Sequence, residues 1–155
     1  MSTRLSKSRF TAGVQCHKLL WWKVHEPDAV ELQPDIVLED LFNQGRQVGE
    51  LATEQFPGGV LIDHPYYAVD AKVTDTRLAI NDSRQFIFEA SFLADNTFVA
   101  VDVLERVEDG YRLIEVKSSN KAKPAHIPDV AVQKHVLTRS GIDVRSVEVM
   151  HLNRE

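Results

Sequence analysis

Asp102, Glu115 and Lys117 are the residues of this chain whose types and spacing best suit chemistry. In Ile114-Glu115-Val116-Lys117-Ser118, the alternation of an extended strand points Glu115 and Lys117 to one face, and Ile114 and Val116 to the other, into apolar packing. Asp102, between Val101 and Val103, is likewise a charge set among apolar neighbours. A hairpin turning near Asp109-Gly110 would place Asp102 opposite Lys117. Two carboxylates and an ammonium gathered on apolar strands are costly unless something compensates them. A hard divalent cation does so, because Mg²⁺ takes one or two carboxylates and fills its other positions with water and phosphate oxygens. Such an ion lowers the pKa of a bound water and neutralises charge building on a phosphate. Lys117 would then orient the water or stabilise the pentacovalent phosphate. A cross-strand salt bridge on an exposed sheet face is the competing reading; the apolar flanks and the upstream aspartate weigh against it.

The elements that must hold these residues can be read from hydrophobic period and breakers. A helix capped by Ser6 or Ser8 is predicted to run to about Val24, ended by His25-Glu26-Pro27-Asp28. A second is predicted from Pro34 to about Phe56, with apolar positions Ile36, Val37, Leu41, Val48, Leu51 and Ala52, stopped by Pro57-Gly58-Gly59. Val60 to Ile62 reads as a short strand and Tyr67 to Ile80 as a helix. Phe86 to Phe92, Phe98 to Leu104 and Tyr111 to Lys117 read as three strands separated by turns at Ala94-Asp95-Asn96 and Glu108-Asp109-Gly110, an antiparallel meander. A helix from Pro128 to Ser140, closed by Gly141, precedes a final strand from Val144 to Leu152. The order predicts an α/β fold with a central mixed sheet flanked by helices, as one domain over residues 1–155. An ending so close to a strand also fits the N-terminal part of a longer protein.

At 155 residues, with 43% hydrophobic and 26% charged residues, the composition is that of an ordinary globular domain. No stretch has the roughly 18 apolar residues of a membrane span, and no signal-peptide core follows the polar start, so a cytoplasmic location is the default expectation. The net charge of −5 opposes nucleic-acid binding taken as a whole, but it is unevenly spread. Residues 1–25 carry Arg4, Lys7, Arg9, Lys18 and Lys23 and no acid, which offers a basic arm to a phosphate backbone.

The spacing of Asp102 from Ile114-Glu115-Val116-Lys117 resembles motifs II and III of the PD-(D/E)XK nuclease superfamily. Leu5-Ser6-Lys7-Ser8-Arg9-Phe10 with Gln15-Cys16-His17-Lys18-Leu19-Leu20-Trp21 resembles the opening of RecB-like nucleases related to CRISPR adaptation exonucleases, and Gly45-Arg46-Gln47-Val48-Gly49-Glu50-Leu51-Ala52 their motif I helix. Gln133 sits where RecB-type members carry Q-x-x-x-Y, with Leu137 in place of the tyrosine. The resemblance implies a restriction-endonuclease-like core and a Mg²⁺- or Mn²⁺-dependent deoxyribonuclease acting on DNA, alone, as an oligomer or within a larger repair or defence assembly. It makes Asp102, Glu115, the Val116 carbonyl and Glu50 metal ligands, Lys117 the catalytic lysine, and Gln133 the residue that positions that lysine or DNA. Some relatives hold an iron–sulfur cluster on four cysteines; Cys16 is the single cysteine here, so no such cluster is expected from this chain alone. The alternative is a non-catalytic nucleic-acid-binding or regulatory module that keeps the fold.

Further features are weaker. Glu89, between Phe88 and Ala90, could face the same site. Ser118, Ser119, Lys121 and Lys123 have the composition of a phosphate-contacting loop and equally of an ordinary polar turn. Trp21-Trp22 could stack on bases, although adjacent helical aromatics usually place one in the core. The six histidines show no metal-ligand spacing.

Overall fold

The middle of the chain carries the sheet, and its turns set the register on which the site depends. The computed structural model describes residues 4–153. Its elements are β1 (Leu5–Ser6), α1 (Lys7–Gln15), α2 (His17–His25), α3 (Ile36–Glu54), β2 (Val60–Leu61), α4 (Val69–Asn81), β3 (Phe86–Ala94), β4 (Thr97–Val107), β5 (Gly110–Lys117), α5 (His126–Arg139) and β6 (Val144–His151), with a short 3₁₀ turn at Val30–Leu32. Together they form an α/β structure around a mixed, open six-stranded sheet in the order β2-β3-β4-β5-β6. The β3-β4-β5 meander is antiparallel, as predicted. The crossover through α5 brings β6 parallel to β5, and β2 runs parallel to β3. No helix among the described residues is long and apolar enough to cross a membrane.

The β3–β4 turn is Asp95-Asn96, both left-handed at φ 48° and 57°, the backbone a tight hairpin requires. The β4–β5 turn corrects the predicted register. Its last pair is Val107 with Gly110, so Glu108-Asp109 is the tip and Val103 lies opposite Ile114. That register brings Asp102 level with Glu115 rather than Lys117. Gly110 forces it: its φ is 151°, and a Cβ there would stand 2.4 Å from the Asp143 carbonyl oxygen.

Two further features make the site possible. First, β4 and β5 separate. Their ladder ends at Val103–Ile114, and β1 pairs in parallel with the other end of β4, Leu5 opposite Thr97 and Ser6 opposite Phe98. The sheet therefore forks, and α1 begins at the fork. Second, strict alternation breaks beside it. Ile87, Ala90 and Phe92 of β3, and Val99, Val101 and Leu104 of β4, pack in one core with Leu113, Val136 and Leu137, on the face covered by α4 and α5. Phe88 and Val103 pack on the opposite face with Ile114, Val116 and Phe56. A three-residue step, from Ile87 to Ala90 and from Val101 to Leu104, cannot keep one face in a regular strand. Glu89 accomplishes the switch in β3 with a left-handed φ of 56°. Asp102 occupies the corresponding level of β4, between the pairs Phe88–Val103 and Ala90–Val101.

The predicted N-terminal helix is two. Cys16 is extended at φ −162° between α1 and α2, and α2 folds back so closely that a Cβ on Gly13 would meet Leu20 at 2.9 Å. Neither tryptophan is buried: Trp21 is exposed and Trp22 half-exposed. Helix α3 meets the sheet only toward its C-terminal end, where Ala52 is buried; Ile36, Val37, Leu41 and Phe42 are exposed. The predicted apolar stripe is therefore mostly exposed, with Leu41 and Phe42 lining a cleft against the sheet. On α5, Val132, Gln133, Val136 and Leu137 are buried, so the position where the resemblance expected tyrosine is a core leucine.

The face switch predicts an inversion of ordinary strand preference. Glu89→Ile should destabilise the fold by about 1–2 kcal/mol in urea denaturation, because a β-branched residue is strained at positive φ, while Glu89→Gly should be near neutral. A more stable isoleucine variant would refute the switch at this residue.

Candidate active site

Glu115 is the centre of the polar cluster at the fork. Its position on β5 turns it toward α1 and α5, where only 2% of its surface is exposed. Three neighbouring side chains answer the buried charge, and a fourth, Asp129, braces the lysines among them. Lys117 Nζ donates to Oε1 at 2.7 Å, and Gln133 Nε2 to Oε2 at 2.8 Å. Lys7 Nζ, from the first residue of α1, reaches both oxygens at 3.1 Å. Asp129, on the first turn of α5, takes the other side of Lys117 at 2.5 Å and lies 3.9 Å from Lys7.

The electrostatics follow from this crowding. Burial alone would raise the Glu115 pKa, but Lys7 and then Lys117, with the hydrogen bonds of Lys117 and Gln133, bring it down to about 2. Burial pulls the two lysines down in turn; the facing carboxylates, Glu115 foremost, outweigh it and hold both above the ordinary lysine value. Both ammoniums therefore stay charged at neutral pH. Gln133 also donates to the carbonyl and carboxylate of Asp129 at 3.2 and 3.4 Å, while its Oε1 is buried with no hydrogen-bond partner among the described residues. The amide orientation is dictated: turned over, its oxygen would face two carboxylates.

Asp102 belongs to the same fork but opens the other way. Its Oδ2 accepts from the Val116 backbone N–H at 2.7 Å, satisfying a donor just past the end of the β4–β5 ladder. Burial first, and the Glu115 charge second, push its pKa up to about 7, against the pull of Lys7 and the Val116 N–H. Asp102 lines a cleft of about 720 Å³ between the sheet and α3, together with Glu89, Glu50, Arg46, Phe42 and Val116.

The sequence-predicted residues thus divide. Glu115, Lys117 and Gln133 meet directly, and Asp102 joins them through the Val116 backbone. Gln133, expected to position Lys117 or DNA, donates to Glu115 and Asp129. Glu50 is exposed on α3 and shares the cleft with Asp102 and Glu89. Ser118, Ser119, Lys121 and Lys123 form the loop after β5, where the Ser119 hydroxyl donates to the Lys121 carbonyl and the Ser119 carbonyl accepts from Leu152; both lysines are exposed. Lys7 and Asp129 were not singled out as site residues. Asp129 was legible, since it stands one helical turn before Gln133. No local spacing signals Lys7, which lies 108 positions from its partner.

Asp102 and Glu115 offer hard oxygen donors of the kind Mg²⁺ or Mn²⁺ takes, one or two carboxylates with water completing the shell. Among the described residues no three acidic, histidine or cysteine side chains converge tightly enough to cage a metal ion, so any ion here would depend on water, backbone carbonyl or phosphate oxygens. No family model, curated protein or solved structure matches the chain.

The two carboxylates predict opposite pH effects on stability. Glu115, with a lowered folded pKa, stabilises above its ordinary value of 4.5, and this is lost as pH falls toward about 2. Asp102, with a raised one, favours the fold at low pH and loses that contribution as pH rises from 3.8 to about 7. Asp102→Asn, which keeps an acceptor for Val116, should therefore gain on wild type across that interval, by on the order of 4 kcal/mol at pH 8 in metal-free denaturation. A difference that does not change with pH would contradict the assignment.

Proposed function

We propose that this protein is a Mg²⁺- or Mn²⁺-dependent nuclease that hydrolyses DNA phosphodiester bonds, on a restriction-endonuclease-like core of the PD-(D/E)XK type. The observation that carries the reading is the fork: Asp102 and Val116 line an open cleft there, and behind Val116 the buried Glu115 shares Lys117 with Asp129. Fold resemblance alone would not suffice; the weight rests on this donor set and its charge balance.

Asp102, Glu115 and the Val116 carbonyl would hold the ion. A bound divalent cation would supply an acidified water and counter-charge for the reacting phosphate. The remaining roles belong to the chain. Lys117, held by Glu115 and Asp129, is a fixed cation and not a proton acceptor, because those carboxylates keep it protonated. It would stabilise negative charge gathering on the phosphate. Gln133 would keep Glu115 in place. The exposed Lys121 and Lys123 and the basic first 25 residues would meet the DNA backbone beyond the cleft.

One observation favours the second reading, a binding module without catalysis: both oxygens of Glu115 already bear ammonium hydrogen bonds. Cleavage and Mn²⁺ titration separate the two. Wild-type protein with Mn²⁺ should cut single- or double-stranded DNA. Lys117→Ala should lower the rate by roughly 10²-fold or more with Mn²⁺ affinity changed little, and Asp102→Ala should weaken both. Failure of the wild type to cut either substrate with Mn²⁺ or Mg²⁺ would overturn the enzymatic reading.

A further inference from the structure

The cluster on Glu115 contains one more cation than the proposed chemistry uses. Lys117 is held at 2.7 Å by Glu115 and 2.5 Å by Asp129, a two-sided clamp. Lys7 has longer contacts, 3.1 Å to each oxygen of Glu115 and 3.9 Å to Asp129, although both lysines are equally open to solvent at a quarter of the side chain. It covers the carboxylate oxygens that a metal ion would need. Lys7 also enters from a different element, the first residue of α1, on a flexible four-carbon stem.

We propose that Lys7 is a displaceable counter-cation: its ammonium neutralises Glu115 in the metal-free protein and leaves when a divalent ion binds. The inference rests on the reading of Asp102 and Glu115 as the metal site. Charge balance supports it. Asp102, Glu115 and Asp129 set three carboxylates against the ammoniums of Lys7 and Lys117, leaving one negative charge when all are ionised. Adding a divalent ion would leave one positive charge in excess, and departure of one ammonium removes it. Of the two, Lys7 is the one held by longer contacts. The swap lets the chain fold around a buried carboxylate without metal. It also places a freed ammonium at the mouth of the site, where the substrate phosphate arrives.

The test uses the full wild-type chain with MnCl₂ as the probe. Lysines are acetylated with an amine-reactive ester, with and without saturating Mn²⁺, and mapped by mass spectrometry; calorimetry measures Mn²⁺ binding separately. Lys7 acetylation should rise several-fold on Mn²⁺ saturation, while that of Lys134, exposed on α5, stays constant. Lys7→Met should bind Mn²⁺ at least tenfold more tightly and lower the metal-free melting temperature. Mn²⁺ binding with unchanged Lys7 acetylation would overturn the inference and leave the metal site standing, as would equal or weaker binding by a folded Lys7→Met. If neither wild type nor Lys7→Met binds Mn²⁺, the metal reading fails and takes this one with it. The acetylation arm needs no variant, so it decides even if Lys7→Met does not fold.

Discussion

A carboxylate as deeply buried as that of Glu115 must be paired and hydrogen-bonded at nearly every lone pair, or it will take a proton or unfold its surroundings. The need links distant parts of the chain. Strand β5 contributes the carboxylate and Lys117, α5 contributes Gln133 and Asp129, and α1 contributes Lys7. None of these elements could shift far without leaving a buried charge or amide unpaired. The hairpin register, the β1 pairing that starts α1 at the fork, and the crossover that lays α5 against β3, β4 and β6 all have to agree for the cluster to close.

The fork gives this buried cluster an outlet. Where β4 and β5 part, a strand N–H that would have bonded across the ladder bonds the Asp102 side chain instead. Asp102 and Glu89 sit at the level where their strands exchange faces, and both line the cleft toward α3. Glu115 is thus neutralised on the helical side, while Asp102 has no cation hydrogen-bonded to it among the described residues. The contrast between a carboxyl held near 2 and one pushed to about 7 expresses that asymmetry. Separated proton affinities in neighbouring carboxylates are a mark of functional sites, although structural ion pairs also produce them.

Much of this was legible in the sequence, for identifiable reasons. Alternation in Tyr111 to Lys117 fixed Glu115 and Lys117 on one face, and Gly141 marked the end of α5. The hairpin was misjudged by two residues because Gly110 looks like a turn residue; it in fact ends the ladder, where the Asp143 carbonyl excludes a Cβ. That error preserved the face, since only an odd shift inverts a strand. The face switch at Glu89 and Asp102 was not visible, because Val101 and Val103 read alike although they enter different cores. The break at Cys16 is not legible because nothing in its composition ends a helix; it accompanies the close packing of Leu20 on Gly13. Helix α3 has a strong apolar stripe, yet periodicity reveals a face and not what covers it. Lys7 was the hardest to see, since its partner is distant in sequence and near only after the fork forms.

The proposed nuclease function requires that Asp102 and Glu115 bind one metal ion together at the fork. Its most direct test is a crystal structure of the protein soaked with Mn²⁺, read by anomalous scattering. One strong peak within coordination distance of both the Asp102 and Glu115 carboxylates is expected. No peak there, or a peak confined to Glu50 and Glu89 across the cleft, would contradict it.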